Sequence, residues 1–392
     1  MSEALSFQIE SRCKQTHARV GRVETLHGGF DTPAFMPVGT KATVKGLMPE
    51  QVAATGSQIL LNNAYHLLLR PGDEMVAERG GVHDFMRWSG PILTDSGGYQ
   101  AFSMADINSL DDEGVTFRSI IDGSRIHLGP EGSMRVQNNL GADIIMAFDD
   151  CPPAGDPSDD GPAARAAFRL RLEEAVARTT NWLHRCVKAH AFPEKQSLFG
   201  IVQGGPHEDL RERSAREITE IDLPGYAIGG VATGEAPEVI HRIVAFTAPL
   251  LPEDKPRYLM GVGYERDLVA AVRAGVDMFD CVLPTRNGRN AGAFTRTGRI
   301  QLRNAKFRDD DNVIDPSCDC VACSGGFSRA YIRHLFLANE MLGGILVSQH
   351  NLRHFQCLML DIRRAIREDA WSCLHRAWPV LEQDSVAGKM PH

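Results

Sequence analysis

Residues 258–280 read YLMGVGYERDLVAAVRAGVDMFD. A short apolar run at Tyr258–Gly261 precedes a segment with helical spacing at Glu265–Ala274, and a second apolar run follows at Val276–Asp280. Apolar runs of this length predict buried strands, and a helix between two such strands is typical of a parallel βαβ unit. This stretch therefore predicts a fold of parallel strands joined by crossover helices.

The same alternation extends through the first three quarters of the chain. The predicted strands are all short apolar runs that end in polar or glycine-rich loops, namely Pro33–Val38, Gln58–Asn62, Pro91–Asp95, Ile144–Asp149, Leu198–Gln203, Tyr226–Gly230, Tyr258–Gly261 and Val276–Asp280. Predicted helices between them include Ala163–Ala189, Asp209–Ile221, Pro237–Ala248 and Glu265–Ala274. Eight such strands favour an α/β fold of the (β/α)8 TIM barrel type, with a doubly wound open sheet as the alternative.

The chain is expected to divide into four parts. Residues 1–30 are predicted to form a hairpin that caps the bottom of the barrel, and residues 31–285 the catalytic barrel. Residues 286–370 are predicted to form an appended Arg-rich, zinc-binding subdomain with helical runs at Ser328–Leu342 and Asn351–Glu368, followed by a tail at 371–392. The proline- and aspartate-rich loop Cys151–Pro162 is expected to be exposed and mobile.

Composition excludes several classes of protein. No stretch reaches the roughly 18 apolar residues of a membrane helix, and the N-terminus lacks an export signal, so we expect a cytoplasmic protein without a membrane partner. A net charge of −8 argues against indiscriminate coating of nucleic acid. One segment nevertheless holds seven basic residues and no acidic one: Arg286, Arg289, Arg296, Arg299, Arg303, Lys306 and Arg308. This segment predicts a surface patch that faces a polyanion.

Three of the nine cysteines crowd together at Cys318, Cys320 and Cys323. Such spacing in a predicted cytosolic protein indicates a metal site rather than a disulfide framework. His350, near the start of a predicted helix, would complete a tetrahedral zinc shell, with His334 and His354 as alternatives. A shell of three thiolates and one imidazole has no open position, so the predicted zinc is structural.

Polar residues stand at the ends of the predicted strands. Active sites of (β/α)8 barrels lie at the carboxyl ends of the strands, which predicts that these residues converge: Asp95, Asp149, Gln203, Gly230, Gly261 and Asp280. Asp280 precedes arginines and is the candidate nucleophile. Tyr99 offers a flat face for a heterocycle, Cys151 a pocket wall, and Asp149, Gln203 and the Gly229–Gly230 backbone suit the hydrogen-bonding edge of guanine.

Several longer motifs carry a resemblance to one family. They are Thr32-Pro-Ala-Phe-Met-Pro-Val-Gly-Thr40, Asn62-Asn-Ala-Tyr-His66, Leu93-Thr-Asp-Ser-Gly-Gly-Tyr-Gln100, Gly200-Ile-Val-Gln-Gly204, Met278-Phe-Asp-Cys281, Pro284-Thr-Arg-Asn-Gly-Arg-Asn-Ala291 and the cysteine cluster. Over nearly its full length the chain resembles the bacterial tRNA-guanine transglycosylases, also called queuine tRNA-ribosyltransferases. The resemblance implies a zinc-bearing pentosyltransferase that exchanges the wobble guanine of tRNAs with anticodon GUN for 7-aminomethyl-7-deazaguanine, in queuosine biosynthesis, with no nucleotide cofactor.

The resemblance also implies roles for individual residues. Asp280 is the expected nucleophile that forms a covalent bond to ribose, and Asp95 the general acid and base. The positions implied for binding the base are Tyr99, Asp149, Cys151, Gln203, Gly229, Gly230, Val231 and Met260. Those implied for binding the tRNA anticodon loop are Gly261, Tyr264, Asp267, Thr285, Arg286, Asn287, Gly288 and Arg289. Members of the family are commonly homodimers.

Three residues bear on the choice of base. Val231 and Thr233 replace the more common leucine and valine of the bacterial type, and Glu235 is placed to neutralise an ammonium substituent. Alternatives are an enzyme that uses queuine directly, a catalytically inactive tRNA-binding partner subunit and a zinc-dependent barrel hydrolase. Retention of Asp95 and Asp280 argues against the inactive subunit, and the closed metal shell argues against the hydrolase.

Overall fold

The computed structural model describes residues 4–104, 107–153, 161–232 and 234–382, without the side chains of residues 102–104, 107 and 108. Its centre is a sheet of eight parallel strands in the order β4-β14-β13-β12-β11-β10-β6-β5. These are β4 (Ala34–Pro37), β5 (Leu60–Asn62), β6 (Ile92–Thr94), β10 (Ile144–Met146), β11 (Ser197–Val202), β12 (Gly225–Ile228), β13 (Arg257–Leu259) and β14 (Met278–Cys281). A parallel bridge between Val38 and Leu61 joins the two edges, so the sheet closes and the doubly wound alternative is wrong.

Alternate residues of the strands fill the barrel. In β4, Ala34 and Met36 belong to the interior cluster, whereas Phe35 between them packs outward under the helices. All eight strands contribute to the same interior cluster, which is a consequence of the two-residue period of a strand. The barrel is therefore a packed core, and ligands have access only at its ends.

A three-stranded antiparallel sheet covers the amino end of the barrel. It consists of β1 (Leu5–Arg12), β2 (Arg19–Thr25) and β3 (Gly28–Thr32), one strand more than the predicted hairpin. Its side chains Leu5, Val23 and Phe30 join the barrel interior cluster. The additional strand widens the apolar face that this sheet buries across the barrel opening, since Phe30 lies on it.

The sheet is also fastened by two buried carboxylates. Arg19 of β2 forms a bidentate ion pair with Asp277, through Nε at 2.9 Å and Nη2 at 2.6 Å. His27 Nδ1 lies 2.8 Å from one oxygen of Asp143, and His83 Nε2 lies 3.0 Å from the other. Asp277 and Asp143 precede β14 and β10, so both contacts lie at the amino ends of barrel strands.

Helices surround the barrel, and a small sheet interrupts the ring. The helices up to β14 are α1 (Pro49–Ala53), α2 (Ala64–Leu69), α3 (Asp73–Ala77), α4 (Gly81–Met86), α5 (Gly98–Met104), α6 (Pro130–Leu140), α7 (Gly161–Ala189), α8 (Glu208–Thr219), α9 (Pro237–Thr247) and α10 (Glu265–Arg273). The small antiparallel sheet holds β7 (Ile107–Leu110), β8 (Val115–Arg118) and β9 (Arg125–Leu128). Within the described ranges, no helix combines the length and apolarity needed to span a membrane.

The C-terminal part follows the last barrel strand and packs on the first, where the side-chain amide of Gln356 donates to the carbonyl of Phe35. It contains α11 (Leu283–Arg289), the hairpin β15 (Gly292–Thr295) and β16 (Gly298–Gln301), α12 (Val321–Ser324), α13 (Arg329–Leu337), α14 (Met341–Arg367) and α15 (Trp371–Ala377). Two expectations were wrong: the run predicted at Ser328–Leu342 is broken after α13, and the helix predicted to start at Asn351 begins ten residues earlier. The break contains Asn339 with φ of +57°, a left-handed conformation that ends a helix.

Candidate active site and metal centre

Asp280 lies in β14 beside the carboxyl end of β13. Its Oδ1 accepts a 2.6 Å hydrogen bond from the hydroxyl of Tyr258 and a 2.8 Å hydrogen bond from the amide of Gly261. Gly261 has φ of +74°, which a glycine adopts without strain. Burial raises the pKa of Asp280, and the two hydrogen bonds offset part of that rise by favouring the carboxylate.

Asp95 follows β6 and is 7% exposed. The side-chain amide of Asn63 donates to its Oδ2, and the backbone amide of Ala64 donates to Oδ1 at 2.8 Å. Burial and the nearby negative charge of Asp280 raise the pKa of Asp95 to about 6, against the lowering effect of these hydrogen bonds. A carboxyl group with such a pKa exchanges protons readily near neutral pH.

Asp149 follows β10 and is 5% exposed. Gln203, at the end of β11, donates a 2.6 Å hydrogen bond to its Oδ2, and the hydroxyl of Ser96 lies 3.5 Å from Oδ1. Burial, with a further contribution from the charge of Asp150, raises the pKa of Asp149 to about 7. The Asp149 and Gln203 side chains thus form one hydrogen-bonding unit across two neighbouring strands.

Gly229 and Gly230 continue from β12 and approach Gln203 closely. A Cβ atom at Gly230 would lie 2.1 Å from Oε1 of Gln203, and the residue has φ of +60°. The guanidinium of the fully buried Arg211 donates to the carbonyl of Gly229 at 2.6 Å and to that of Gly230 at 2.8 Å. Glycine is therefore required at position 230, and Arg211 fixes the course of the backbone there.

The remaining residues predicted to bind the base are distributed around these carboxylates. Tyr99 is the second residue of α5 and is 45% exposed, so its ring has a face available for stacking. Cys151 and Val231 are buried at 5% and 6% exposure, and Met260 packs against the barrel interior cluster. Thr233 lies outside the described residues, as does the 154–160 part of the loop predicted to be mobile.

The cysteine cluster meets His350 and no alternative histidine among the described residues. One ligand atom each from Cys318, Cys320, Cys323 and His350 lie within 4.8 Å of one another, which can hold a metal ion. His350 Nδ1 is 3.4 Å from the Sγ atoms of Cys320 and Cys323, close to the roughly 3.5 Å expected between ligands of one tetrahedral zinc ion. His354 instead contacts Glu265 at 2.8 Å.

His350 lies in the middle of α14 rather than near a helix start, so that part of the prediction was wrong. Its Nε2 donates a 2.7 Å hydrogen bond to the carbonyl of Phe294 in β15. This bond places the proton on Nε2 and leaves the Nδ1 lone pair directed at the thiols. The cluster therefore joins the cysteine loop, α14 and β15.

A family model described as "Queuine tRNA-ribosyltransferase" matches residues 13–379. Proteins named queuine tRNA-ribosyltransferase are 53% identical in Acetivibrio thermocellus, over 93% of this chain and 95% of the relative, and 52% identical in Bacillus mycoides, over 93% of both. A relative of the same name from Cyanothece sp. is 51% identical over 96% of both chains. The chain belongs to the queuine tRNA-ribosyltransferase family.

The positions that the family resemblance implies for tRNA binding fall into two groups. Arg286 and Arg289 of α11 are exposed beside the active site, and Tyr264 is 41% exposed. Asp267 instead is 7% exposed and contacts Nε2 of His241 at 2.8 Å, and Asn287 accepts a hydrogen bond from Arg299 at 3.1 Å.

Gly261 and Thr285 adjoin this face as backbone or buried positions, and Gly288 packs against α14. A Cβ atom at Gly288 would lie 2.8 Å from backbone atoms of Ser348, so glycine permits close contact between the two helices. The basic stretch is likewise divided, because Arg296 lies 4.7 Å above the Trp378 ring and 3.5 Å from Asp361. Only part of the stretch is thus presented to a ligand.

The sequence reasoning gave no role to several residues that shape the site. Asn63 and Ala64 donate to Asp95, Tyr258 donates to Asp280, and Arg211 holds the glycine backbone. Asn63 and Ala64 stand in a motif shared with the family, which was the available signal. Nothing in the local sequence around Arg211 indicated its partners, since they lie in other strands.

Proposed function

We propose that the protein is a tRNA-guanine transglycosylase that exchanges the wobble guanine of its tRNA substrates for 7-aminomethyl-7-deazaguanine. The observation that carries this proposal is the group of three aspartates at the carboxyl ends of β6, β10 and β14, in a chain of this family; Asp95 and Asp149 are buried and Asp280 is partly buried. Two aspartates suit glycosyl transfer, and the third, with Gln203, suits recognition of a purine.

In the proposed reaction Asp280 is the nucleophile. Its two hydrogen bond donors both contact Oδ1, so we assign attack on the ribose anomeric carbon to Oδ2. The bond from that carbon to guanine N9 breaks, and its electron pair leaves with guanine. The incoming base then attacks the same carbon and expels Asp280, so two inversions restore the original configuration.

Asp95 is the proposed general acid and base. It gives a proton to the departing guanine and accepts one from the incoming base, so no net proton is consumed over the exchange. Support comes from its pKa of about 6 and from its proximity to Asp280, whose charge contributes to that pKa. The donors at Asn63 and Ala64 hold its carboxylate in one orientation.

Recognition of the base is assigned to the unit of Asp149 and Gln203. The Asp149 carboxylate accepts from the N1–H and exocyclic amine that guanine and 7-deazaguanines share, while Tyr99 stacks on the ring. Glu235 is proposed to favour a cationic aminomethyl group. The alternatives are insertion of queuine and an inactive partner subunit, and the intact pair Asp95 and Asp280 argues against the latter.

Arg286 and Arg289 are proposed to contact the nucleotides that flank the exchanged base in the anticodon loop. A base in such a loop leaves its stack at lower cost than one in a duplex. We further propose a cytoplasmic homodimer. Support for pairing of two copies comes from exposed apolar side chains on and after α13, where Leu337 is 54% and Met341 83% exposed. Sedimentation of the purified protein tests this state.

Zinc is the proposed ion of the Cys318, Cys320, Cys323 and His350 cluster. Three thiolates and one imidazole fill a tetrahedral shell, so the ion would supply structural stability and no reacting group. Metal analysis of the purified protein and of a Cys320→Ser variant tests the assignment. One zinc ion per chain, lost in the variant together with a lower unfolding temperature, is expected, and an unchanged unfolding temperature would contradict the structural role.

The activity is tested by incorporation of labelled guanine into tRNA that carries guanine at the wobble position. The assay is repeated with unlabelled 7-aminomethyl-7-deazaguanine and with queuine as competitors. Incorporation blocked by the aminomethyl base alone is expected. Inhibition by queuine at similar concentration would favour the second reaction, and no incorporation by metal-replete protein would favour the inactive partner subunit.

A further inference from the structure

Asp150, between Asp149 and Cys151, has no role in the proposed chemistry although it is completely buried. Arg171 binds it with both terminal nitrogens, at 2.8 Å to Oδ2 and 2.5 Å to Oδ1. Arg178 adds a third contact of 2.5 Å to Oδ2. A buried carboxylate of this kind requires compensation, and here two guanidinium groups supply it.

Both arginines belong to α7, and the same helix binds the neighbouring backbone. The amide of Asp150 donates to the hydroxyl of Thr179 at 3.1 Å, and the amide of Phe148 donates to the thiol of Cys186 at 3.3 Å. Arg171, Arg178 and Cys186 are spaced by seven and eight residues, so they share one face of the helix. That face therefore holds the segment that follows β10 by both its backbone and its side chains.

We propose that Asp150 is a positioning residue, and that its ion pairs with Arg171 and Arg178 hold the Asp149 carboxylate in place for the base. This inference rests on the proposed function, because it assigns Asp149 to base recognition. We call Arg171 and Arg178 the clamp of Asp150. If Asp150 rotated out of this clamp, the adjoining Asp149 and Cys151 would move with it, since the three residues are consecutive. Asp150 itself touches no substrate.

The clamp also has an electrostatic consequence. Asp150 is one of the groups that raise the pKa of Asp149, after burial, and the two guanidinium groups counteract its charge. Loss of one arginine would leave the charge of Asp150 less compensated and raise the pKa of Asp149 further. Neutralisation of Asp150 would leave the charges of Arg171 and Arg178 less compensated near Asp149 and lower the pKa of Asp149. The two changes therefore have opposite signs.

Arg178 further connects the clamp to the small sheet inserted before α6. Its Nε lies 3.2 Å from the carboxylate of Asp112, between β7 and β8. Arg185, on the same helix, contacts the carbonyl of Asp112 at 2.7 Å and the carboxylate of Glu131 at 2.8 Å. Arg185 thus shares the contact with the inserted sheet, and its described partners do not include Asp150, which makes it a matched control.

The test is equilibrium binding of labelled guanine from about pH 5.5 to about pH 8.5. Guanine binding should weaken at acid pH as Asp149 is protonated, and we call this part of the profile the acid limb. We expect the midpoint of the acid limb to move by about one pH unit upward in Arg178→Met and downward in Asp150→Asn. Arg185→Met should leave the limb in place. Shifts of both variants in one direction, or no shift in either, would overturn the proposal, because a merely structural role would weaken binding without reversing its pH dependence.

A second arginine variant provides a control in case Arg178→Met does not fold. Arg171→Met removes an arginine whose side chain is 30% exposed and retains the contact of Arg178, so it should also shift the profile upward even if Arg178→Met unfolds. Each variant's unfolding temperature is measured in parallel. Guanine exchange by the wild-type protein is measured separately, so a failure of the clamp inference is distinguished from a failure of the proposed function.

Discussion

The two ends of the barrel both contain buried aspartates, but the groups that compensate their negative charge differ. At the amino end, Asp277 is paired with Arg19, and Asp143 contacts His27 and His83. At the carboxyl end, Asp95, Asp149 and Asp280 receive hydrogen bonds from neutral donors instead. Ion pairing also holds Asp150 at the carboxyl end, but Asp95, Asp149 and Asp280 there have no cation among these hydrogen-bond partners, and their incomplete compensation suits the proposed chemistry.

The pKa values record the same difference. Burial would raise the pKa of Asp143, but hydrogen bonds and the charge of His83 outweigh it and the pKa is lowered. At the other end burial prevails, and the pKa rises to about 6 at Asp95 and about 7 at Asp149. Burial of a carboxylate therefore identifies a reactive site only where cations do not compensate it.

The largest effect is expected from Asp280→Asn. The carboxamide retains the shape of the side chain but is a poor nucleophile, so exchange should fall by about 10⁴-fold or more. At neutral pH and above, the free energy of unfolding should stay the same or rise, because a carboxylate that desolvation disfavours has been removed. The measurements are trapping of the covalent RNA adduct and chemical denaturation. Undiminished adduct would remove Asp280 from the nucleophile role.

The opposite pattern is expected from Arg19→Met at the amino end. Asp277 would remain buried without its bidentate partner, which should lower the free energy of unfolding by about 3–5 kcal/mol while leaving guanine exchange largely unchanged. Arg22→Met on the same strand is the control, since Arg22 lies in partly exposed pairs with Glu24 and Asp31, and its loss should cost at most about 1 kcal/mol. Similar losses of unfolding free energy in both variants would contradict the stabilising role of ion pairing at the amino end.

An effect of intermediate size on guanine affinity is expected when the pH is lowered. In the proposed function the carboxylate form of Asp149 accepts hydrogen bonds from guanine, and its raised pKa of about 7 means that half of the group is protonated near neutral pH. Guanine affinity should therefore fall by about tenfold per pH unit below that value. The stabilising effect of Asp143 is lost only as pH falls through its lowered pKa, below the ordinary 3.8, so it persists over this range. Binding and unfolding measured together should thus separate the two ends, and a flat binding profile would contradict the role of Asp149.

The smallest effect is expected from Arg289→Ala at the rim of the site. Removal of one exposed cation should weaken tRNA binding several-fold and reduce the salt dependence by about one ion, with little effect on free guanine. Arg213→Ala is the control, because Arg213 lies on α8 in a pair with Glu217 at 2.8 Å. Equal loss of tRNA and guanine binding would place Arg289 within the base pocket instead.

Local sequence was a good guide where a property is carried by neighbouring residues. The alternation of apolar runs and helical segments predicted all eight barrel strands, and the spacing of Cys318, Cys320 and Cys323 predicted a cluster that can hold a metal ion. It was a poor guide to helix ends, since α14 begins at Met341 rather than Asn351. Asn351 interrupts the apolar pattern of that helix because its side chain bonds to the backbone of Pro284, Gly292 and Phe294.

The sequence by itself determined the barrel, the strand-end carboxylates and the cysteine cluster, because each is written in short-range periodicity or spacing. Only the tertiary structure decided that Tyr258 would hold Asp280, that Arg211 would hold the Gly229 backbone and that α7 would clamp Asp150. The physical reason is that charge compensation inside a protein depends on distances in space. Partners on different strands and helices meet only after the barrel has closed.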